Sequence, residues 1–436
     1  MSSDSDNRTL VKLAVPVLFS LIAEPVTGLV DTAFVARLGS EALAGLGAGA
    51  IALSSVFWIF NFLGIGTQTE VAKGEGAGRT EYVLGMSSLA ILVGAGLGVL
   101  VAAVGVPLSG AVSRVMGADG AVETAATAYI QIRLLGAPAM LALLGIFGTM
   151  RGRQDMKTPL YIAVGINLLN IVLDALLIFG AGPIPAFGIE GAAAASSLSQ
   201  WVGAIAGFVI VRRRIGFSAG VSRSDVGKLF KIGGDIFVRT GMLTLFLILG
   251  TRAATRLGAE AGAAHQAIRQ VWLFTALFLD AWAVSAQTMV GNAIGSGDAV
   301  RARRIAALAC WWSIATGAVL TAVLLASTGL VREGLVPDDA VRAFSAAWWV
   351  AMAMLPVSGL TFATDGIHWG TGDFAYLRNA TSVATVLAGG ILIGFEAAGM
   401  LTLAGVWWLT AAWVVIRALL GVVRVWPGWA GAPLRG

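Results

Sequence analysis

The chain has 436 residues, of which 57% are hydrophobic and only 12% charged, with a mean hydropathy of +0.85. Water-soluble domains carry roughly a quarter charged residues, so this composition excludes a soluble fold of such length. The net charge of +5 does not point to nucleic acid, because the basic residues gather in alternate loops, and a single cysteine, Cys310, excludes an internal disulfide.

The first eight residues are polar and lack the charged-then-apolar layout of a signal peptide, so the first apolar run is expected to stay in the mature protein. Twelve runs follow, at 10–37, 42–68, 82–108, 121–150, 159–180, 188–211, 226–256, 262–292, 305–331, 341–370, 377–395 and 398–424. Each has about 20 residues or more, enough for a helix to span a bilayer. Lys73 and Arg79, then Arg151, Arg153 and Lys157, then the polar stretch 212–231, then Arg301, Arg303 and Arg304 occupy every second loop. The intervening loops carry Glu190, Glu333, Asp338 and Asp339. Positive loops stay inside, which puts both termini in the cytoplasm and predicts a plasma (inner) membrane protein.

The second half repeats the first. Arg37-Leu38-Gly39-x-Glu41-Ala42 returns as Arg256-Leu257-Gly258-x-Glu260-Ala261, and Gln68-Thr69-x-Val71 as Gln287-Thr288-x-Val290, both at an offset of 219. Pro138, Gly152 and Asp155 return as Pro356, Gly370 and Asp373 at an offset of 218. Six spans per half is even, so the halves insert in one orientation as a parallel repeat. The predicted fold is an all-α integral membrane protein, with twelve transmembrane helices in two six-helix lobes related by a pseudo-two-fold axis along the membrane normal. The expected division is a first lobe at 1–211, a cytoplasmic linker at 212–231 and a second lobe at 232–436. Paired bundles of this kind hold a transport site between two moving halves.

Six acids lie more than one helical turn inside the spans: Glu24, Asp31, Asp174, Asp235, Asp280 and Asp365. Each costs at least ~2.5 kcal/mol at mid-bilayer, so each is a candidate functional residue. The repeat does not reproduce them: Asp31 corresponds to Gly250, Asp174 to Leu392, Asp280 to Asn61 and Asp365 to Phe147. Scaffold residues recur because both bundles need them, whereas an acid in one half alone looks like a task assigned to that half. Asp31 and Asp174 lie at equal depth, about 9 Å below the outer ends of their helices. Asn167, Asn170 and Asp174 share one face of span five, and Glu24 shares a face with Asp31 around Pro25, which leaves that helix a place to bend. Two carboxyls in one low-dielectric cavity cannot both ionise cheaply, so a shared proton is expected. Na⁺ held by the same oxygens is the rival, and a purely structural role is the competing reading for each acid. Asp280 and Asp365 suggest substrate or secondary contacts in the second bundle, with Thr361, Asp365 and His368 on one face. Asp235 suggests a solvated helix end, and His265 a structural hydrogen-bonder.

Two histidines and one cysteine cannot build a metal centre. Gly74-Glu75-Gly76-Ala77-Gly78 lacks the Gly-Lys-Ser/Thr ending of a phosphate loop, so no cofactor is expected and the energy source is an ion gradient. No nucleophile–base constellation supports an enzyme. A passive channel fits unmatched acids on a repeated scaffold less well than alternating access does. The tryptophan pairs Trp311-Trp312, Trp348-Trp349 and Trp407-Trp408 are expected mostly as membrane-interface anchors.

Taken together, the segments 30–39, 148–159 and 170–174, with Gly188-Ile189-Glu190-Gly191, Ala263-Ala264-His265-Gln266 and Asp365-Gly366-Ile367, resemble the multidrug and toxic compound extrusion (MATE) family over nearly the whole chain. Aspartate in span one and Asn-x-x-x-Asp in span five resemble its DinF-like branch. The resemblance implies two six-helix lobes opening alternately and a monomeric antiporter among membrane lipids. Its substrates would be amphipathic or cationic small molecules, exported against H⁺ or Na⁺. It also implies a proton site in the first lobe on Asp31 and Asp174, with Asn170 and Tyr129 in their network. In the Na⁺-coupled branch span seven resembles a carboxylate-bearing helix. Here only Asp235 qualifies, near the cytoplasmic end, which favours H⁺. A lipid-linked precursor flippase is the alternative, disfavoured by the intramembrane acids.

Overall fold

The apolar runs become helices because a backbone inside lipid must satisfy its own hydrogen bonds. The computed structural model describes residues 3–218, 222–426 and 431–434, with no strand among them. The first half holds α1 (Ser3–Val35), α2 (Ser40–Trp58), α3 (Phe62–Gly76), α4 (Thr80–Val115), α5 (Gly120–Leu135), α6 (Ala137–Gly152), α7 (Lys157–Phe179) and α8 (Gly188–Arg214). The second holds α9 (Arg223–Arg256), α10 (Ala259–Gly295), α11 (Ala299–Ala326), α12 (Thr328–Leu335), α13 (Val341–Ala353), α14 (Leu355–Thr371), α15 (Phe374–Ala397) and α16 (Leu403–Val425).

Ten of the spans are single long helices, α2 running into α3 through a 3₁₀ turn; the other two are the broken pairs α5–α6 and α13–α14, bent by 49° and 46°. Each break falls just before a proline of the repeat, Pro138 or Pro356, whose ring cannot fit behind a continuing helix. Leu29, Val99, Leu168, Ile205 and Val323 are each more than half exposed, as lipid-facing residues should be.

The chain forms two compact units, one of residues 19–233 and one uniting the N-terminal stretch up to Leu18 with 234–436. In the second of these, the buried carboxylate of Asp6 pairs with Arg301 at 3.0 Å and Arg304 at 3.8 Å. In the first unit, Lys228, inside the stretch read as linker, pairs with the buried Glu70. Tyr82 also donates to Glu70, at 2.5 Å.

The repeat is visible in backbone contacts. A Cβ on Gly152 would lie 2.8 Å from the Gln68 carbonyl oxygen, and one on Gly370 would lie 2.6 Å from that of Gln287. Likewise Gly148 abuts the Gly64 carbonyl, and Gly366 that of Ala283. Where Gly94 meets Leu141 in the first unit, Gly359 meets Ser313 in the second, so the small residue has changed sides while the close approach is kept. Such approaches let helices pack in lipid by dispersion.

The second unit adds an aromatic core. Phe246 stacks on Trp413 at 4.5 Å and Phe344 on Trp348 at 4.9 Å. This corrects the reading of the tryptophan pairs as mostly surface anchors: Trp348 and Trp407 are 0% and 1% exposed, against 62% and 64% for Trp349 and Trp408. Successive helical residues point about 100° apart, so one ring of each pair packs inward.

Candidate functional site

Four helices of the unit 19–233 build one polar cluster, three of them by the one-turn spacing that aligns side chains on a face. α7 supplies Asn170 and Asp174, α5 supplies Tyr129 and Arg133, α8 supplies Ser196 and Gln200, and α1 supplies Asp31. Asp174, Asn170 and Tyr129 are 0%, 2% and 5% exposed, and Asp31 is half-buried. The Asp31 and Asp174 carboxyls come within hydrogen-bonding reach of one another. Further along the same two helices, Phe34 meets Phe179 edge-on at 6.0 Å, pinning α1 to α7. With its amide nitrogen donating to Asp31 Oδ1 at 3.1 Å, Asn170 accepts at 3.3 Å from both the hydroxyl and the backbone N–H of Ser196. Asp174 Oδ1 is buried and bonds nothing among the described residues.

Arg133 donates to Gln200 Oε1 at 3.0 Å, and its charge bears on Asp31, Asp174 and the Tyr129 hydroxyl. The cluster therefore holds two carboxyls and one fixed positive charge. A hydrogen bond between two carboxyls requires a proton on one of them, and one proton makes this cluster neutral. Asn167, a turn before Asn170, is half-buried and makes no hydrogen bond to the pair among the described residues.

The remaining acids lie elsewhere. Asp365 on α14 accepts at Oδ2 from Arg239 of α9 and, at 2.8 Å, from Arg417 of α16. Asp235 pairs with Arg378 at 2.5 Å. Asp280 is half-buried on α10. The side chain of Glu24 lies outside the described residues. Thr361 and His368, which share a face with Asp365, bond instead to α16, at the carbonyls of Val414 and Gly421. His265 meets the Thr251 hydroxyl at 3.2 Å.

Sequence reasoning missed Arg133, Arg239, Arg417 and Ser196. The signal for the arginines was present, since a guanidinium within a span is as costly as a carboxylate, but only the acids were counted. Ser196 left no signal, because serine is common in such helices.

Two compact helical units and, among the described residues, twelve spans with each bent pair counted as one define a multi-pass membrane protein. The MatE family model matches residues 16–176 and 236–393, and the chain belongs to that family of multidrug efflux transporters. It is 30% identical over 434 residues to Protein DETOXIFICATION 44, chloroplastic, of Arabidopsis thaliana, covering 95% of this chain and 81% of that one. It is 28% identical over 430 residues to the DNA damage-inducible protein F of Escherichia coli, covering 96% and 90%. Among solved structures, a MATE transporter in a bent conformation superimposes with a TM-score of 0.87 at 21% identity, covering 97% and 96%. A MOP superfamily transporter from Pyrococcus furiosus gives a TM-score of 0.87 at 21% identity, covering 96% and 94%.

Proposed function

We propose that the protein exports amphipathic or cationic small molecules by alternating access, driven by inward H⁺ flow through the Asp31–Asp174 pair. The observation carrying this reading is the approach of the two carboxyls, which a proton satisfies and two bare carboxylates would oppose. Arg133 supports H⁺ over Na⁺, since a metal cation would enter beside a fixed guanidinium. Asn170 and Tyr129 orient the pair, and Asn167 extends the polar face of α7. Coupling requires the proton to favour one conformation and the cargo the other. In this reading the transporter is a monomer in the inner membrane with both termini cytoplasmic, 212–231 joins its lobes, and no cofactor beyond the ion gradient is needed. Asp280 and Asp365 serve as substrate or secondary contacts in the second unit.

The test is purified protein in liposomes with a fluorescent cationic dye and an imposed pH gradient. Dye movement accompanied by proton counterflow, independent of Na⁺, is the expected result. Movement driven by a Na⁺ gradient alone would assign the coupling to Na⁺ instead.

A further inference from the structure

We propose that Arg239 and Arg417 form a binding site for the carboxylate of a small organic anion, with Asp365 occupying it in the empty protein. Both guanidiniums donate to the same oxygen, Asp365 Oδ2. Arg239 and Asp365 are 9% and 4% exposed, and the Arg417 side chain 9%. Among the described residues the ion pairs of both arginines go to Asp365, so two positive charges share one negative charge inside an apolar bundle. The neighbouring acids are engaged elsewhere, Asp235 by Arg378 and Asp373 by Arg424. A buried charge without a counter-charge is costly and seeks one.

The donors to receive it are in place. The Nε atoms of Arg239 and Arg417 are both buried and bond nothing among the described residues. A guanidinium offers N–H groups in a planar fork that a carboxylate meets with both oxygens. The Arg239 guanidinium lies over Trp369 at 5.1 Å and that of Arg417 over Trp413 at 4.6 Å. These ring faces hold the forks still, and the apolar bundle around them favours a carboxylate carried on an apolar body over a small hydrated ion.

This rests on the transporter reading for how the anion arrives and leaves, but binding is measurable without transport. Calorimetry on the purified full-length protein in detergent would compare benzoate, benzamide and benzylamine, which share a ring and differ in head-group charge. Benzoate should bind at least about tenfold more tightly than either analogue, and Arg417→Gln should weaken it about tenfold. Asp365→Asn should tighten it, because the internal competitor is gone. Equal affinity for benzamide, no benzoate binding by well-folded protein, or benzoate binding unchanged in Arg417→Gln would overturn the proposal. If Arg417→Gln does not fold, Asp365→Asn decides alone, and unchanged or weaker binding there counts against the site. Asp31→Asn should stop pH-driven efflux while benzoate binding persists, which separates failure of this site from failure of the coupling reading.

Discussion

Asp31 on α1 and Asp174 on α7 bring their carboxyls within hydrogen-bonding reach inside the unit 19–233. The two helices meet near the pair through Phe34 on Phe179, so a shift of α1 against α7 changes the spacing of the acids. Under the proposed coupling, gaining or losing a proton at this pair is therefore a change that the helix feels.

Asp31→Asn keeps the shape and an N–H donor, mimicking the protonated state. It is expected to fold normally and to lose efflux by roughly tenfold or more, since the coupling free energy between proton and cargo is gone. Proteoliposome efflux under an imposed pH gradient, at matched protein content, checks this. Full activity of the variant would remove Asp31 from the coupling path.

Arg133→Gln should cut efflux about tenfold through loss of a charge-assisted bond to Gln200 and of the charge beside the acids. Without the guanidinium the two carboxyls have room for a metal cation, so the variant should gain sensitivity to Na⁺. Arg133→Lys should restore most of the wild-type behaviour. Efflux measured with Na⁺ and then with K⁺ as the external cation tests this, and a variant as indifferent to Na⁺ as wild type would deny Arg133 that role.

Much of the architecture was legible because the constraints that build it act along the chain. Span lengths follow from bilayer thickness, whereas the two breaks went unread although Pro138 and Pro356 stand at them. The constant offset between Gly152 and Gly370 foretold matching contacts. Asp31 and Asp174 stood out because acids inside spans are expensive, and Asn170 because it shares a helix face with Asp174. Partner identity was not legible, since Arg133 and Gln200, or Asp365, Arg239 and Arg417, meet only when helices distant in sequence pack together. The buried tryptophans were misread because adjacent identical residues carry no sign of which one faces inward.

Asp373, outside the spans, offers a pH test. Burial works against its charged form, but the hydrogen-bonded Arg424 guanidinium at 2.8 Å and the nearby His368 ring at 3.7 Å outweigh that and hold the carboxyl below the ordinary carboxylate range. A depressed folded value means the stabilisation is full above the unfolded value and lost as pH falls through the folded one. Asp373→Asn should therefore lower the Tm at neutral pH, with the gap from wild type closing as pH drops below about 4. Melting curves across that range in detergent provide the check, and a gap that widens in acid would contradict the sign.

The repeated glycine contacts make the last prediction quantitative. A methyl group on Gly370 would sit 2.6 Å from the Gln287 carbonyl oxygen, and one on Gly152 2.8 Å from that of Gln68. Both obstacles are backbone, which cannot rotate aside as a side chain would, so the helices must separate. Overpacking of this kind costs about 1–3 kcal/mol. Gly370→Ala and Gly152→Ala should each lower the Tm of the purified protein, by similar amounts because the contacts are copies of one another. A methyl group on Gly47, by contrast, would have no atom within 4 Å, and alanine is the better helix former. Gly47→Ala should leave the Tm unchanged or raise it slightly. If Gly370→Ala and Gly47→Ala melt alike, close helix approach is not what holds α14 against α10.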